Sequence, residues 1–148
     1  TLLNLVTNSI YELTGKGGMI KISLRSCRLK SRQAEILGLD EGNYLCLVFC
    51  DSGSGVPVEI RDRIFDPFFT TKETGKGTGM GLAVVHGIVQ GHGGRIILDP
   101  EVGEGNCFTL YFPQKEGGEK ITHSTANDTV IIYSNKNTNR RIISRFVK

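Results

Sequence analysis

Residues 51–55 read DSGSG, residues 65–72 FDPFFTTK and residues 75–94 GKGTGMGLAVVHGIVQGHGG. A carboxylate on a glycine turn, an aromatic block and a glycine-dense loop opening a helix therefore follow one another. Their order and spacing describe a hook for a purine followed by a lid over phosphates. Asp51 ends an apolar run, 44–50, that suits a central strand buried on both faces. An ionised carboxylate accepts hydrogen bonds and donates none, which matches the exocyclic amine of adenine. Gly53 and Gly55 let the backbone approach a flat ring without interference from Cβ. The same turn serves equally well as the cap of a helix starting near Pro57.

Gly75, Gly77, Gly79 and Gly81 alternate along the second loop, with Thr78 among them and Lys72 and Lys76 beside it. The loop runs into a helix over 80–89 whose Leu82, Val85 and Val89 face inward. Backbone N–H groups at a helix start, together with lysine charge, make a phosphate site; a flexible surface loop is the plainer alternative. Neither GxxxxGK[ST] nor a GxGxxG leading into a helix occurs. Phe65, Phe68 and Phe69 either belong to the core or pin the base of a lid whose tip moves. His86 and His92 read as structural, and His123 falls in a linker.

Upstream, residues 2–13 carry Leu3, Val6, Ile10 and Leu13 as one helical stripe. Asn4, Asn8 and Glu12 form a polar line along another face. Asn is a poor helix former, and its amide oxygen suits magnesium, which keeps several waters and takes phosphate oxygens. Alone, Asn8 would be an ordinary structural side chain; its weight comes from the motifs downstream. Strands are expected over 19–25, 44–50, 95–99 and 107–112, with a strand end and a surface loop over 26–43 and a short helix over 57–64. Three helices against a mixed sheet make a two-layer α/β sandwich over residues 1–113. Residues 114–128 are polar and aperiodic, a linker. Residues 129–133 and 139–147 then read as a strand and a helix, too little to bury a core, so 129–148 is expected to open another, truncated domain.

At 148 residues, 39% hydrophobic and 22% charged, the chain has an ordinary globular composition; its net charge of +3 is mild and argues little about nucleic acid, and no nucleic-acid partner is expected. Cys27, Cys46, Cys50 and Cys107 show no CxxC and no pairing with His, against a zinc site. They read as reduced, small hydrophobes in a cytosolic setting. No apolar run approaches the roughly 20 residues of a membrane span. Thr1 stands at once in an amphipathic pattern, so the chain reads as part of a longer protein, and any membrane attachment belongs to the parent.

In order, these motifs resemble the N, G1, F and G2 boxes of the catalytic, ATP-binding domain of sensor histidine kinases. The N box is matched by NLVTN at 4–8, G1 by DSGSG, F by FDPFF and G2 by GTGMGL. The resemblance covers residues 1–113 and implies a Bergerat-type α/β sandwich, shared with gyrase, mismatch-repair and chaperone ATPases. It places Asn8 at the magnesium-binding asparagine and Asp51 at the adenine-recognising aspartate. It implies ATP and Mg2+ as ligands, with Asn4, Asn8, Tyr11, Asp51, Gly53, Gly55, Lys72, Lys76, Gly77, Thr78, Gly79, Gly81 and Leu82 lining the nucleotide.

The gyrase-type relatives carry a water-activating Glu four residues before the metal asparagine. Here Asn4 stands there, and an amide is no general base. The resemblance therefore implies transfer of the γ-phosphoryl group to a His on a separate helical dimerisation domain, with a response-regulator receiver downstream. A hydrolysing conformational machine and a non-catalytic binding module are the alternatives. Tyr11 departs from the family, in which a basic residue is common at that position, and Asn106 stands where Ser or Thr is common. The tail from 129 is similar to the opening of a receiver domain, but Ser134, Asn135 and Lys136 replace its acidic ligands.

Overall fold

The computed structural model describes residues 2–73, 77–99, 105–114, 128–135 and 138–146, the last two as backbone alone. Helix α1 spans Leu2–Leu13 and strand β1 Gly18–Leu29. A short α2, Ser31–Leu37, precedes β2, Gly42–Asp51. A 3₁₀ turn at Val58–Arg63 leads toward α3, Gly81–Gly91. Strands β3, Arg95–Leu98, and β4, Asn106–Pro113, follow, then β5, Asp128–Asn135, and β6, Thr138–Phe146.

The strands form one sheet in the order β3-β4-β2-β1-β5-β6. Every pairing in it is antiparallel. The expected α/β sandwich forms, but its sheet is antiparallel where a mixed one was expected. Periodicity reports which face a residue takes; strand direction depends on how the connections run, and no residue pattern states that.

Alternation along β2 divides two cores. Leu47 and Phe49 join Leu5, Leu13, Val85, Val89 and Leu110 beneath α1 and α3. Tyr44 and Cys46 point the other way, into a smaller cluster with Leu29 and with Ala34 and Leu37 of α2. Helix α2 thus covers part of the opposite sheet face. In its place the sequence suggested a loop, because seven mostly polar residues are too few to show a period. The helix expected near 57–64 is only the 3₁₀ turn.

Two further expectations are corrected. The buried stripe of α1 is Leu5, Ser9 and Leu13, while Leu3 is 71% exposed. Val6 packs at the core's margin and Ile10 is exposed. The same helix supports either stripe by periodicity, and the sheet selects the one containing Ser9. In the tail, the helix expected over 139–147 is strand β6, paired to β5, which itself pairs with β1.

The cysteines are also paired, Cys27 with Cys46 and Cys50 with Cys107, leaving no free thiol among the described residues. The antiparallel register sets Cys50 opposite Cys107. Sequence separations of 19 and 57 residues carry no sign of this proximity.

Phe49 lies at the centre of the main core, 0% exposed. Phe49→Ala should cost about 3–5 kcal/mol, read as a lowered urea midpoint with an unchanged m-value.

Candidate functional site

Three elements converge at one end of the sheet. Strand β2 ends at Asp51, and the register places Asp51 opposite Asn106, the first residue of β4. Helix α1 crosses above and brings Ser9 down onto the carboxylate. Asp51 is only 8% exposed, and a buried charge needs donors. The Ser9 hydroxyl donates to Oδ2 at 2.6 Å. The Gly53 N–H donates to Oδ1 at 2.9 Å, and the Asn106 N–H donates to the same oxygen at 3.3 Å. The Asn106 side-chain amide spans both oxygens, at 3.3 and 3.5 Å. Among the described residues these donors are all neutral groups, and the carboxylate lines a cleft.

That cleft has a volume of about 790 Å³, within the range that holds a drug-sized ligand. Its floor includes Ile60, Ile64, Phe69, Leu82 and Phe108, an apolar bed for a flat ring. Asn4 and Asn8 of α1, and Lys72, Gly77, Thr78, Gly79 and Gly81 beyond the aromatic block, line the same space. Gly55 lines it beside Asp51, whereas Gly53 contributes through its N–H to the carboxylate. Lys76 lies outside the described residues.

The polar line on α1 has two tasks. The Asn4 amide donates to the Gly81 carbonyl at 3.2 Å, tying α1 to the first turn of α3. Asn8 Oδ1 accepts from the Lys72 ammonium at 3.1 Å. The same ammonium lies 4.3 Å from the centre of the Tyr11 ring, a cation–π contact. Tyr11 itself supplies no charge, yet it seats the cation that the segment after the phenylalanines delivers. An ammonium on Asn8 Oδ1 also shows that this oxygen suits a cation.

The aromatic block divides its labour. Phe65 stacks on His86 at 5.2 Å and meets Phe108 edge-on at 6.5 Å, which accounts for His86 as a structural side chain. Phe69 packs against the core with the Arg63 guanidinium 4.6 Å above its ring. Phe68 is the exception, 76% exposed with φ of 67°. Its N–H donates to the Gly79 carbonyl at 3.0 Å, so the block and the glycine loop are stitched together. His92 caps the end of α3, its Nδ1 2.8 Å from the Ile88 carbonyl.

Ser9 and Asn106 complete the site, and neither was singled out as a ligand from sequence. Ser9 had a signal: a hydroxyl in register with Leu5 and Leu13 on a buried face asks for a partner. Asn106 had only its place after a glycine turn.

Gly79 has φ of 65°, and a Cβ there would run into the Phe68 carbonyl carbon. Gly79→Ala should therefore destabilise the protein by about 1–3 kcal/mol in urea unfolding. Gly87→Ala, where a Cβ meets open space, should be neutral or slightly stabilising.

Residues 1–116 match the model of the family described as histidine kinase-, DNA gyrase B-, and HSP90-like ATPase. Sensor kinase CckA of Brucella abortus is 40% identical over 115 residues, 76% of this chain and 12% of that protein. Sensor histidine kinase ZraS of Escherichia coli is 38% identical over 112 residues, 76% of this chain and 20% of that protein. The chain thus spans a fifth or less of these relatives. Among solved structures, the catalytic domain of histidine kinase ThkA, nucleotide-free, superposes with a TM-score of 0.54 at 34% identity, covering 76% of this chain and 63% of that one. Full-length ShkA in complex with AMPPNP also gives 0.54, at 28% identity, covering 76% of this chain and 20% of that one.

Proposed function

Because this chain belongs to the family of histidine kinase-, DNA gyrase B- and HSP90-like ATPases, we propose that it is the catalytic domain of a two-component sensor kinase. In this reading it passes the γ-phosphoryl group of ATP to a histidine on a separate helical dimerisation domain. The observation that carries the reading is that Asp51, Asn8 and the Gly77–Gly81 loop end line one cleft. A buried carboxylate at one end of that cleft and an amide oxygen with a lysine at the other suit the two ends of ATP.

Asp51 takes the exocyclic amine of adenine, and the apolar bed of Ile60, Ile64 and Leu82 holds the ring. Lys72, the N–H groups of Gly77, Thr78 and Gly79, and the start of α3 face the phosphates. Asn8 is the one protein ligand we assign to Mg2+. Asn8 would hold the ion through its amide oxygen, with phosphate oxygens and waters expected as the remaining ligands. Bound there, the metal neutralises charge on the phosphates during transfer. The chain's own contribution is positioning and electrostatics: holding the triphosphate extended, matching its charge and shielding it.

Asn4 favours transfer over hydrolysis. Its amide is committed to the Gly81 carbonyl, and it has no basic atom with which to activate water. The phosphoacceptor histidine lies on a partner domain in this proposal, with a response regulator as the next recipient. Among the described residues no helix is long and apolar enough to cross a membrane; use of ATP as the phosphoryl donor is what supports a cytoplasmic setting in this proposal.

Mixing the chain with the parent's histidine-bearing helical domain and Mg·ATP should give an acid-labile, base-stable phosphate on that domain. Asp51→Ala should abolish both the adduct and calorimetric ATP binding. Steady phosphate release with no adduct would instead mark a hydrolase. Asn8→Ala should leave metal-free nucleotide binding within about threefold while removing the gain that Mg2+ brings, of the order of tenfold for one lost ligand; an unaltered Mg2+ titration would exclude Asn8 as the ligand.

A further inference from the structure

Cys50 immediately precedes Asp51 and Cys107 immediately follows Asn106, and the register sets the two cysteines opposite one another. They form a disulfide. Alternation puts Cys50 on the face of β2 that carries Tyr44 and Cys46, behind the sheet from the Asp51 carboxylate. Neither cysteine lines the cleft, so chemistry at the bridge leaves the cleft unobstructed. Asp51 and Asn106 are the last pair of the β2–β4 ladder, where strands open most readily. Asn106 still gives the carboxylate three contacts, all between 3.3 and 3.5 Å. A covalent bond one residue inside this pair fixes the spacing those contacts need. The other disulfide, Cys27–Cys46, is placed differently. Cys46 is 1% exposed in the α2 cluster, and five strand residues, about 17 Å, separate it from Asp51. Cys50 is only half-buried.

We propose that Cys50 and Cys107 are a reversible redox modification site, exchanging with small thiols and disulfides of the glutathione class and setting nucleotide affinity through Asp51 and Asn106. This role rests on the reading of the cleft as an ATP site in a cytoplasmic setting. There, thiol pools keep most cysteines reduced, and the disulfides that do form are usually transient or redox-sensing. In reduction a small thiolate attacks one sulfur, forming a mixed disulfide and releasing the other cysteine as a thiolate, which takes a proton. A second small thiol resolves the mixed disulfide. Two small thiols thus become one small disulfide, and the protein gains two electrons and two protons. Oxidation is the reverse, with the small disulfide as electron acceptor. The bonded form holds Asp51 and its donors in place before a ligand arrives, and such preorganisation tightens binding.

Calorimetry with Mg·ATP tests this on the whole chain, oxidised with glutathione disulfide or reduced with a phosphine. The oxidised form should bind ATP about fivefold more tightly, the low end of typical coupling between sites. Linkage requires the converse: saturating ATP should raise, by the same factor, the ratio of squared glutathione to its disulfide at which half the pair is bonded. Alkylation of free thiols and mass spectrometry read that ratio. Cys107→Ser should abolish the redox dependence of ATP affinity, while the Cys27→Ser, Cys46→Ser double variant keeps it; loss in the double variant overturns the assignment. Where circular dichroism shows a variant unfolded, the wild-type titration with and without ATP decides. Equal ATP affinity of the two forms, or a bridge that stays bonded in a large excess of reduced glutathione, overturns the proposal while leaving the ATP site intact. A chain that binds ATP in neither form overturns the ATP reading itself.

Discussion

A carboxylate buried at the end of a central strand constrains everything around it. The Asp51 carboxylate is accommodated in an apolar setting because α1, the turn after β2 and the start of β4 each bring it a donor. Removing any one of these elements would leave a buried carboxylate short of a donor, at a cost larger than the net gain from a typical hydrogen bond. The pocket wall and the fold's stability are therefore the same structure. Helix α1 cannot rotate to bury a more apolar stripe, since Ser9 must reach Oδ2. That requirement leaves Leu3 exposed and turns Asn4 and Asn8 toward the cleft.

The far end of the cleft follows a different logic. Near Asp51 the contacts are short, buried and held by sheet register. Around Lys72 and Gly79 they are made by loop backbone and by a long lysine side chain. Phe65 and Phe69 fasten the base of this segment to the core, and the Phe68 N–H holds Gly79. A firm end at Asp51 and an adaptable end at Lys72 match, in the proposed reading, a ligand held by its base while its terminal phosphoryl group is handed on. Lys72 donates to Asn8 Oδ1, so the lysine that follows the aromatic block is held against α1.

Much of this site was legible before any coordinates. The glycine turn after an apolar run, the alternating glycines before a helix and the amides spaced four apart on α1 all have local causes, so local sequence reports them. The residues that make the hook work were harder to see. Ser9 and Asn106 matter because they touch Asp51, across 42 and 55 positions of chain. Tyr11 read as a loss of positive charge, yet it lies under the lysine that supplies that charge. Helix α2 escaped notice because seven residues are too short to display a period.

By itself the sequence determined that residues 44–50 form a central strand buried on both faces, the two glycine motifs and their order, the amide line on α1 and the sandwich of helices on a sheet. Each of these is written within a few residues, where backbone sterics and side-chain periodicity act. The tertiary structure alone decided that every strand pair is antiparallel, that Cys50 meets Cys107, that the tail adds two strands beside β1, and which stripe of α1 is buried. Those outcomes depend on which distant segments pack together, and packing energy is settled between elements rather than within them.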